Sequence, residues 1–453
     1  MKLRIGVDVG GTFTDFLVMQ PGADPRVHKV LSTPADPSIG LVTGLEEIAR
    51  DLGMPLAELA GSIETMVHGT TVSTNAVLTL NGARTGLLTT DGVRDALQMR
   101  RGIREEQYNN RYTNVTPLVP RSLRRPVRGR LNYRGDELEP LRLEDVEQAL
   151  DLFAAEQVEA VAICFMNSFA DPAHEREAAR LVRERLPGAY LTVSADFLPS
   201  IRFYDRVSST VLNSYVGPKL SSYLERLGSR LREIGFGGVL LIMQSNGGVM
   251  SPAVAHENAA LTLLSGPAAG PQAGLSYVRG HGRADCITVD MGGTSFDAAL
   301  VRDGTAIVVT EGEINRYRIA LPMLDIVTIG AGGGSIGWID EGGLLRMGPQ
   351  SAGADPGPAC YARGGELPAC TDADLVLGYL DAEFFAGGRI RLDRDAAARA
   401  IEKHIGGPLG LSLEEAAAGM YRVINTNMAQ GVREISIKRG IDPREFPLVA
   451  AGG

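Results

Sequence analysis

The chain has 453 residues, 44% of them hydrophobic and 22% charged, with a formal net charge of -9. Such a length exceeds what one hydrophobic core usually supports, so at least two soluble domains are expected. The acidic balance argues against a nucleic-acid surface, and no uncharged run is long enough to span a membrane.

Four cysteines, Cys164, Cys286, Cys360 and Cys370, form no CxxC pair, which speaks against a zinc site or a disulfide framework and for a reducing cytoplasm. The opening Met1 to Asp8 breaks its apolar run at an acid, unlike the core of a signal peptide. Glycine is abundant, at 55 residues, and clustered, as in phosphate loops and tight turns.

The pattern opens with a strand over Leu3 to Asp8, a turn at Gly10-Gly11 and a second strand over Thr14 to Met19, with Val27 to Leu31 as a third. A helix over Ile39 to Leu52 precedes a strand at Thr65 to His68, and another helix starts near Thr71. Strands at Arg84 to Leu88, Val158 to Phe165 and Tyr190 to Val193 then alternate with helices at Leu143 to Glu156 and Pro172 to Arg185, the mark of a largely parallel sheet covered by helices. Between them Arg100 to Gly135 has no period, and is either a partner-binding excursion or an irregular surface segment. Its basic run, Arg121 to Arg130, reads as a solvated loop or a surface for a partner.

A second unit is expected to begin near Ser200, giving lobes over residues 1–196 and 197–453. Its elements are a long helix over Ser208 to Ile234, a strand at Val239 to Met243, a helix over Gly266 to Val278, and strands at Cys286 to Asp290 and Phe296 to Val301. The second strand pair repeats the first: Asp8-Val9-Gly10-Gly11-Thr12-Phe13-Thr14-Asp15 aligns with Asp290-Met291-Gly292-Gly293-Thr294-Ser295-Phe296-Asp297.

In each copy a strand-end acid is followed by Gly-Gly-Thr. Glycines let backbone amides approach phosphate, hydroxyls add donors, and a carboxylate can hold hydrated Mg²⁺. Gly10, Gly11, Thr12, Thr14, Gly292, Gly293, Thr294 and Ser295 are the expected phosphate ligands, Asp8 and Asp290 the metal ligands, and Asp15 or Asp297 the group that orients water or substrate.

His68, beside Thr70 and Thr71 at a strand-to-helix junction, either polarises a substrate carbonyl or caps the turn. The loop Gly330, Gly332, Gly333 to Ser335 offers another approach to phosphate or ribose, or is a plain turn. Cys360 reads as structural, Asp372 and Asp374 as caps of a helix over Leu375 to Leu380, and Arg202 with Asp205 as a polar turn.

The duplicated acid–glycine motif, the small-residue string Gly266-Pro267-Ala268-Ala269-Gly270 and the hydrophobic run Phe446 to Gly453 resemble the two-lobed actin-like (ribonuclease H-like) ATPases, an α/β fold of mixed sheets flanked by helices. That resemblance assigns Gly452 and Gly453 to adenosine. More narrowly, His68-Gly69-Thr70-Thr71, Ser265-Gly266-Pro267, the Gly330 loop, Ser351 to Tyr361 and Thr371 to Asp374 are similar to the ATP-binding, hydantoinase A-type subunit of the hydantoinase/oxoprolinase family. It implies ATP and Mg²⁺ as cofactors, phosphorylation of a cyclic amide carbonyl, and a hydantoinase B-type partner in a hetero-oligomer. Ketone carboxylation and an actin-like nucleotide-gated scaffold are the alternatives. The family's subunit continues past the adenosine motif, so the second lobe is expected to be cut short.

Overall fold

A computed structural model describes residues 2–10, 13–33, 35–102, 106–353, 355–388 and 390–452. Strand β1 (Leu3–Val9) alternates buried Leu3, Ile5, Val7 and Val9 with outward Arg4, Gly6 and Asp8, the period-two pattern of a sheet with one packed face. It runs antiparallel to β2 (Phe13–Met19), which pairs with β3 (Arg26–Leu31). Helix α1 (Pro37–Asp51) starts on Asp36, whose carboxylate accepts from the Ser38 amide, with Pro37 in the first turn. Then β4 (Ile63–Thr70) returns parallel to β1, and α2 (Val72–Leu78) follows.

A second, wholly parallel sheet is inserted here. It comprises β5 (Thr85–Thr90), β6 (Arg124–Val127), α3 (Leu143–Ala155), β7 (Ala160–Cys164), α4 (Ala173–Arg185) and β8 (Tyr190–Val193), in strand order β8-β7-β5-β6. The basic run lies largely within it, and three of its arginines are paired with acids of the same region. Arg121 and Arg124 pair with Asp95, and Arg128 with Asp145, so the expected loop or partner surface is in part strand and ion pairs.

The 31-residue α5 (Phe203–Glu233) begins earlier than the pattern suggested. Asp205 in its first turn is buried and binds Arg101 at 2.6 Å, which fixes a residue the sequence left ambiguous. After it, β9 (Val239–Met243) pairs parallel with β4, and β10 (Val249–Met250) closes the sheet as β10-β9-β4-β1-β2-β3. The divide expected at residue 197 therefore does not coincide with a sheet boundary: α5, β9 and β10 complete the first sheet.

Helix α6 (Ala269–Arg279) opens three residues later than expected because Gly266 and Pro267 form the preceding turn. It leads to β11 (Cys286–Met291), β12 (Phe296–Arg302) and β13 (Thr305–Ala306). A short hairpin, β14 (Gly312–Ile314) and β15 (Tyr317–Ile319), reaches back so that Ile314, Tyr317 and Ile319 are buried in the core of the first sheet. Then β16 (Ile326–Ile329) pairs with β12. Helix α7 (Cys370–Val376) stands where a helix over Leu375 to Leu380 was expected. Asp372 does cap it, its carboxylate accepting from the amides of Ala369, Cys360 and Ala359. Asp374 lies inside the helix, in contact with Cys370 Sγ at 3.5 Å. Helix α8 (Leu413–Ile435) opens on a Ser412–Glu415 capping box, and β17 (Leu448–Gly452) pairs parallel with β11.

The α/β architecture of mixed sheets flanked by helices is thus of the two-lobed actin-like type. No helix among the described residues is long and apolar enough to cross a membrane. The inserted sheet rests on buried Glu175, which accepts from the Phe165 and Ala195 amides and the Ser168 and Ser194 hydroxyls. Glu175→Ala leaves these donors unpaired, at roughly 1–3 kcal/mol each before relaxation. A loss of at least ~3 kcal/mol of unfolding free energy in urea is expected, and a shift below ~1 kcal/mol would contradict this assignment.

Candidate functional site

The two strand–turn–strand units are superposable in register as well as in sequence. Asp8 stands opposite Asp15 and Asp290 opposite Asp297, and in each turn the first glycine amide closes on a carbonyl, Gly10 on Phe13 at 3.0 Å and Gly292 on Ser295 at 2.9 Å. The parallel neighbours match too, with Gly69 beside Asp8 and Ala451 beside Asp290. A glycine of each neighbouring strand passes close to the acid. A Cβ on Gly69 would sit 3.0 Å from Asp8 Oδ1, and one on Gly452, at φ +95°, only 2.7 Å from Asp290 Oδ1.

The tips of the two units lie near enough for their charges to act on one another, and Gly266 before α6 comes close to the Asp8 carboxylate. Asp8 keeps an exposed edge toward the cleft but is crowded by protein elsewhere. That burial, then the charges of Asp15 and Asp290, push its carboxyl up to about 6 against the pull of Lys29. Burial and Asp15 likewise raise Asp290. Asp297 is lifted to about 6, by burial first and Asp290 second, while hydrogen bonds from Thr328 and Ser295 restrain the shift. Acids from opposite lobes therefore share one field, the arrangement a bound cation relieves.

Several expected ligands are engaged elsewhere. Thr14 faces the core, fully buried, 3.0 Å from Ser32 Oγ. Ser295 donates to Asp297, and the Gly10 and Gly292 amides close their own turns. In the Gly330 loop, Gly332 N donates to Ser335 Oγ, Gly333 N to the Gly292 carbonyl and Gly334 N to the Gly293 carbonyl, so the loop buttresses the second turn and its amides are not aimed at phosphate. Thr371, through its amide and hydroxyl, holds Gly333 in turn. Gly293 and Thr294 remain exposed at the tip, and Gly330 is exposed at the start of its loop. Gly11, Thr12 and Gly453 lie outside the described residues.

His68 also departs from expectation. It lies within β4, on the packed face, wholly buried, with Nε2 2.7 Å from the Tyr223 hydroxyl of α5 and no partner for Nδ1 among the described residues. Burial drives its pKa down to about 4, so the ring is neutral and out of a substrate's reach. Thr70 is equally buried, whereas half-exposed Thr71 donates to the Val9 carbonyl, and its methyl group lies near Gly266 and hence Asp8. Ser265 Oγ donates to the Thr70 carbonyl and Leu264 N to Thr74 Oγ1, so the Ser-Gly-Pro string stitches α6 to the first lobe. All four cysteines are buried free thiols, and burial with Asp372 pushes the Cys360 thiol up, as befits a structural role.

Sequence reasoning missed Lys29, whose Nζ is 3.0 Å from Asp15 Oδ1. The signal was its place in β3: counted through the hairpin, it falls opposite Asp15. Behind the second hairpin a cavity of about 500 Å³ opens between α6 and strands β11, β12 and β17, walled by Asp290, Asp297, Ala450 and Ala451. That volume lies in the range of small-molecule sites.

Two family models match the chain, the hydantoinase/oxoprolinase N-terminal region over residues 4–186 and hydantoinase/oxoprolinase over 206–453. The chain belongs to the hydantoinase/oxoprolinase family. It is 44% identical to the caprolactamase subunit alpha of Pseudomonas jessenii, across 100% of this chain and 65% of that protein. The crystal structure of the ATP-dependent caprolactamase from that organism aligns with a TM-score of 0.87 over 99% of this chain and 65% of its own. A nucleotide-free acetone carboxylase aligns with a TM-score of 0.86 at 29% identity, over 99% of this chain and 65% of its own. The chain thus spans just under two thirds of the length of these relatives.

Because its folded pKa of about 4 lies below the ordinary 6.5, His68 contributes stability that is fully present above pH 6.5 and lost as the pH falls toward 4. The loss is roughly 3 kcal/mol. His68→Gln should flatten that acid limb in a pH series of urea midpoints, and an unchanged limb would return the imidazole to the accessible site.

Proposed function

We propose that this chain is the ATP-binding, phosphorylating component of an ATP-dependent hydrolase of cyclic amides, acting on a lactam, hydantoin or 5-oxoproline with a hydantoinase B-type partner subunit. The observation that carries the reading is the pair of acid-tipped glycine turns, one per lobe, with Asp8 and Asp290 in one electrostatic field. The 44% identity to caprolactamase subunit alpha supports a cyclic amide as the substrate class. Buried free cysteines and a need for ATP suit a cytoplasmic setting.

The donor set suits hydrated Mg²⁺. One carboxylate comes from each lobe, Asp8 has an open edge, and the cation keeps much of its water while sharing phosphate oxygens. Bound there, the ion would neutralise charge on the triphosphate. Thr294 and the Gly293 backbone, exposed at the second tip, take phosphate oxygens, and Thr71 beside Asp8 faces the substrate side. Gly452, passing Asp290, borders the adenosine, and Asp297 on the cavity wall orients water or substrate.

An unstrained amide carbonyl is a poor electrophile. In the proposed reaction its oxygen bonds to the γ-phosphorus as the bond to ADP breaks, leaving that electron pair on ADP. Water then adds to the activated carbon, the ring C–N bond cleaves with a proton passing to nitrogen, and a second water releases phosphate. Positioning and charge stabilisation are the protein's contribution to such a transfer.

The test is ADP release by the chain co-purified with its partner subunit, across caprolactam, hydantoins, 5-oxoproline and ketones, with and without bicarbonate. Stimulation by cyclic amides alone is expected, with Asp8→Asn lowering turnover by about 100-fold or more. The likeness to acetone carboxylase favours a second reading, for which bicarbonate-dependent turnover of ketones is the signature. Slow hydrolysis indifferent to every compound would point instead to a nucleotide-gated scaffold.

A further inference from the structure

The repeated frame allows the two lobes to be compared position by position. Strand β3 lies beside β2 with Lys29 opposite Asp15, and β16 lies beside β12 with Thr328 opposite Asp297. One place in the frame thus holds an ammonium in the first lobe and a hydroxyl in the second. Thr328 donates to Asp297, while Lys29 Nζ stands 3.0 Å from Asp15 Oδ1 and 4.7 Å from the centre of the Phe13 ring. In the second lobe a threonine hydroxyl fills this place beside the hairpin acid, so the charge at Lys29 is the feature peculiar to the first lobe.

That charge acts well beyond Asp15. It favours the ionised forms of Asp8 in its own lobe and of Asp290 in the other, so the ammonium lies within Coulomb reach of both acid tips. As a half-exposed ion pair, with side chains 36% and 40% accessible, Lys29 and Asp15 would contribute little to stability. A triphosphate brought to the Asp8 and Asp290 tips meets the repulsion of carboxylates that already act on one another. A lysine ammonium, with three donors on a flexible stem, can bridge an acid and a phosphoryl group.

We propose that Lys29 is a catalytic residue whose ammonium contacts the γ-phosphoryl oxygens of bound ATP, with Asp15 as the positioning residue that aims it. The inference rests on the nucleotide reading above. Lys29 keeps its proton throughout: as the phosphorus leaves the ADP oxygen for the substrate oxygen, the ammonium offsets charge on the three oxygens that travel with it.

The test uses the chain assembled with its partner subunit, and reads Mg²⁺·ATP affinity by calorimetry, turnover by ADP release, and the thermal midpoint. For Lys29→Met, kcat is expected to fall about 100-fold or more, while ATP affinity changes by less than about 10-fold and the midpoint by a degree or two. Lys29→Arg should recover part of the loss, and Asp15→Asn should lower kcat less than Lys29→Met does. In Lys29→Cys, alkylation with 2-bromoethylamine rebuilds an ammonium at the same place and should restore turnover, since the four native cysteines are buried. Turnover in Lys29→Met within about threefold of the unsubstituted protein, or a loss that only tracks a lower midpoint, overturns the role of Lys29 alone. Failure of the unsubstituted protein to bind Mg²⁺·ATP sinks the nucleotide reading and this inference with it.

Discussion

Carboxylates that repel one another across a cleft are the constraint on which the rest of this structure depends. Burial raises the cost of ionising Asp8 and Asp290, and to it the charge of Asp15 adds at both acids and that of Asp290 at Asp8. Glycine of the neighbouring strands leaves room beside them, Gly69 next to Asp8 and Gly452 next to Asp290. Behind the second tip, the Gly330 loop fastens to Gly292 and Gly293, and Thr371 fastens to the loop. A fold that holds like charges together so firmly is suited to a divalent cation and its phosphate ligands.

The lobes repeat one frame and fill it differently. Strand β4 brings His68-Gly69-Thr70 past the first acid, with His68 and Thr70 turned into the core under α5, whereas β17 brings Ala450-Ala451-Gly452 past the second beside an open cavity. The first lobe carries an inserted parallel sheet. The second sends its β14–β15 hairpin back into the first lobe's core, where Tyr317 donates to the Thr116 carbonyl and Ser208 to that of Arg318. These contacts tie the β14–β15 hairpin to α5 and to the region of Thr116.

Much of this was legible in the residues. Strands Tyr190–Val193 and Val239–Met243 fall where β-branched and aliphatic runs end at turn residues, and the paired acid–glycine strings foretold the two hairpins. What was not legible depended on long-range neighbours. Nothing near His68 announces Tyr223, which comes from a helix far along the chain, so burial of the imidazole was invisible. Thr14 looked like a phosphate donor until strand parity turned it inward onto Ser32. The Gly330 loop has the composition of a phosphate cradle, yet its amides are taken by carbonyls of the hairpin it supports. Lys29 sits in an ordinary amphipathic strand and gains meaning only from the residue across the ladder.

The central claim is that one cation, gripped by acids from both lobes, admits the nucleotide. Calorimetric titration of ATP into the purified protein, with Mg²⁺ present and then with the metal chelated, tests it most directly. Binding that appears only with the divalent cation, with one nucleotide per chain, is the predicted result. Equal affinity in the presence of chelator would mean that the facing acids do not work through a metal, and would contradict the account.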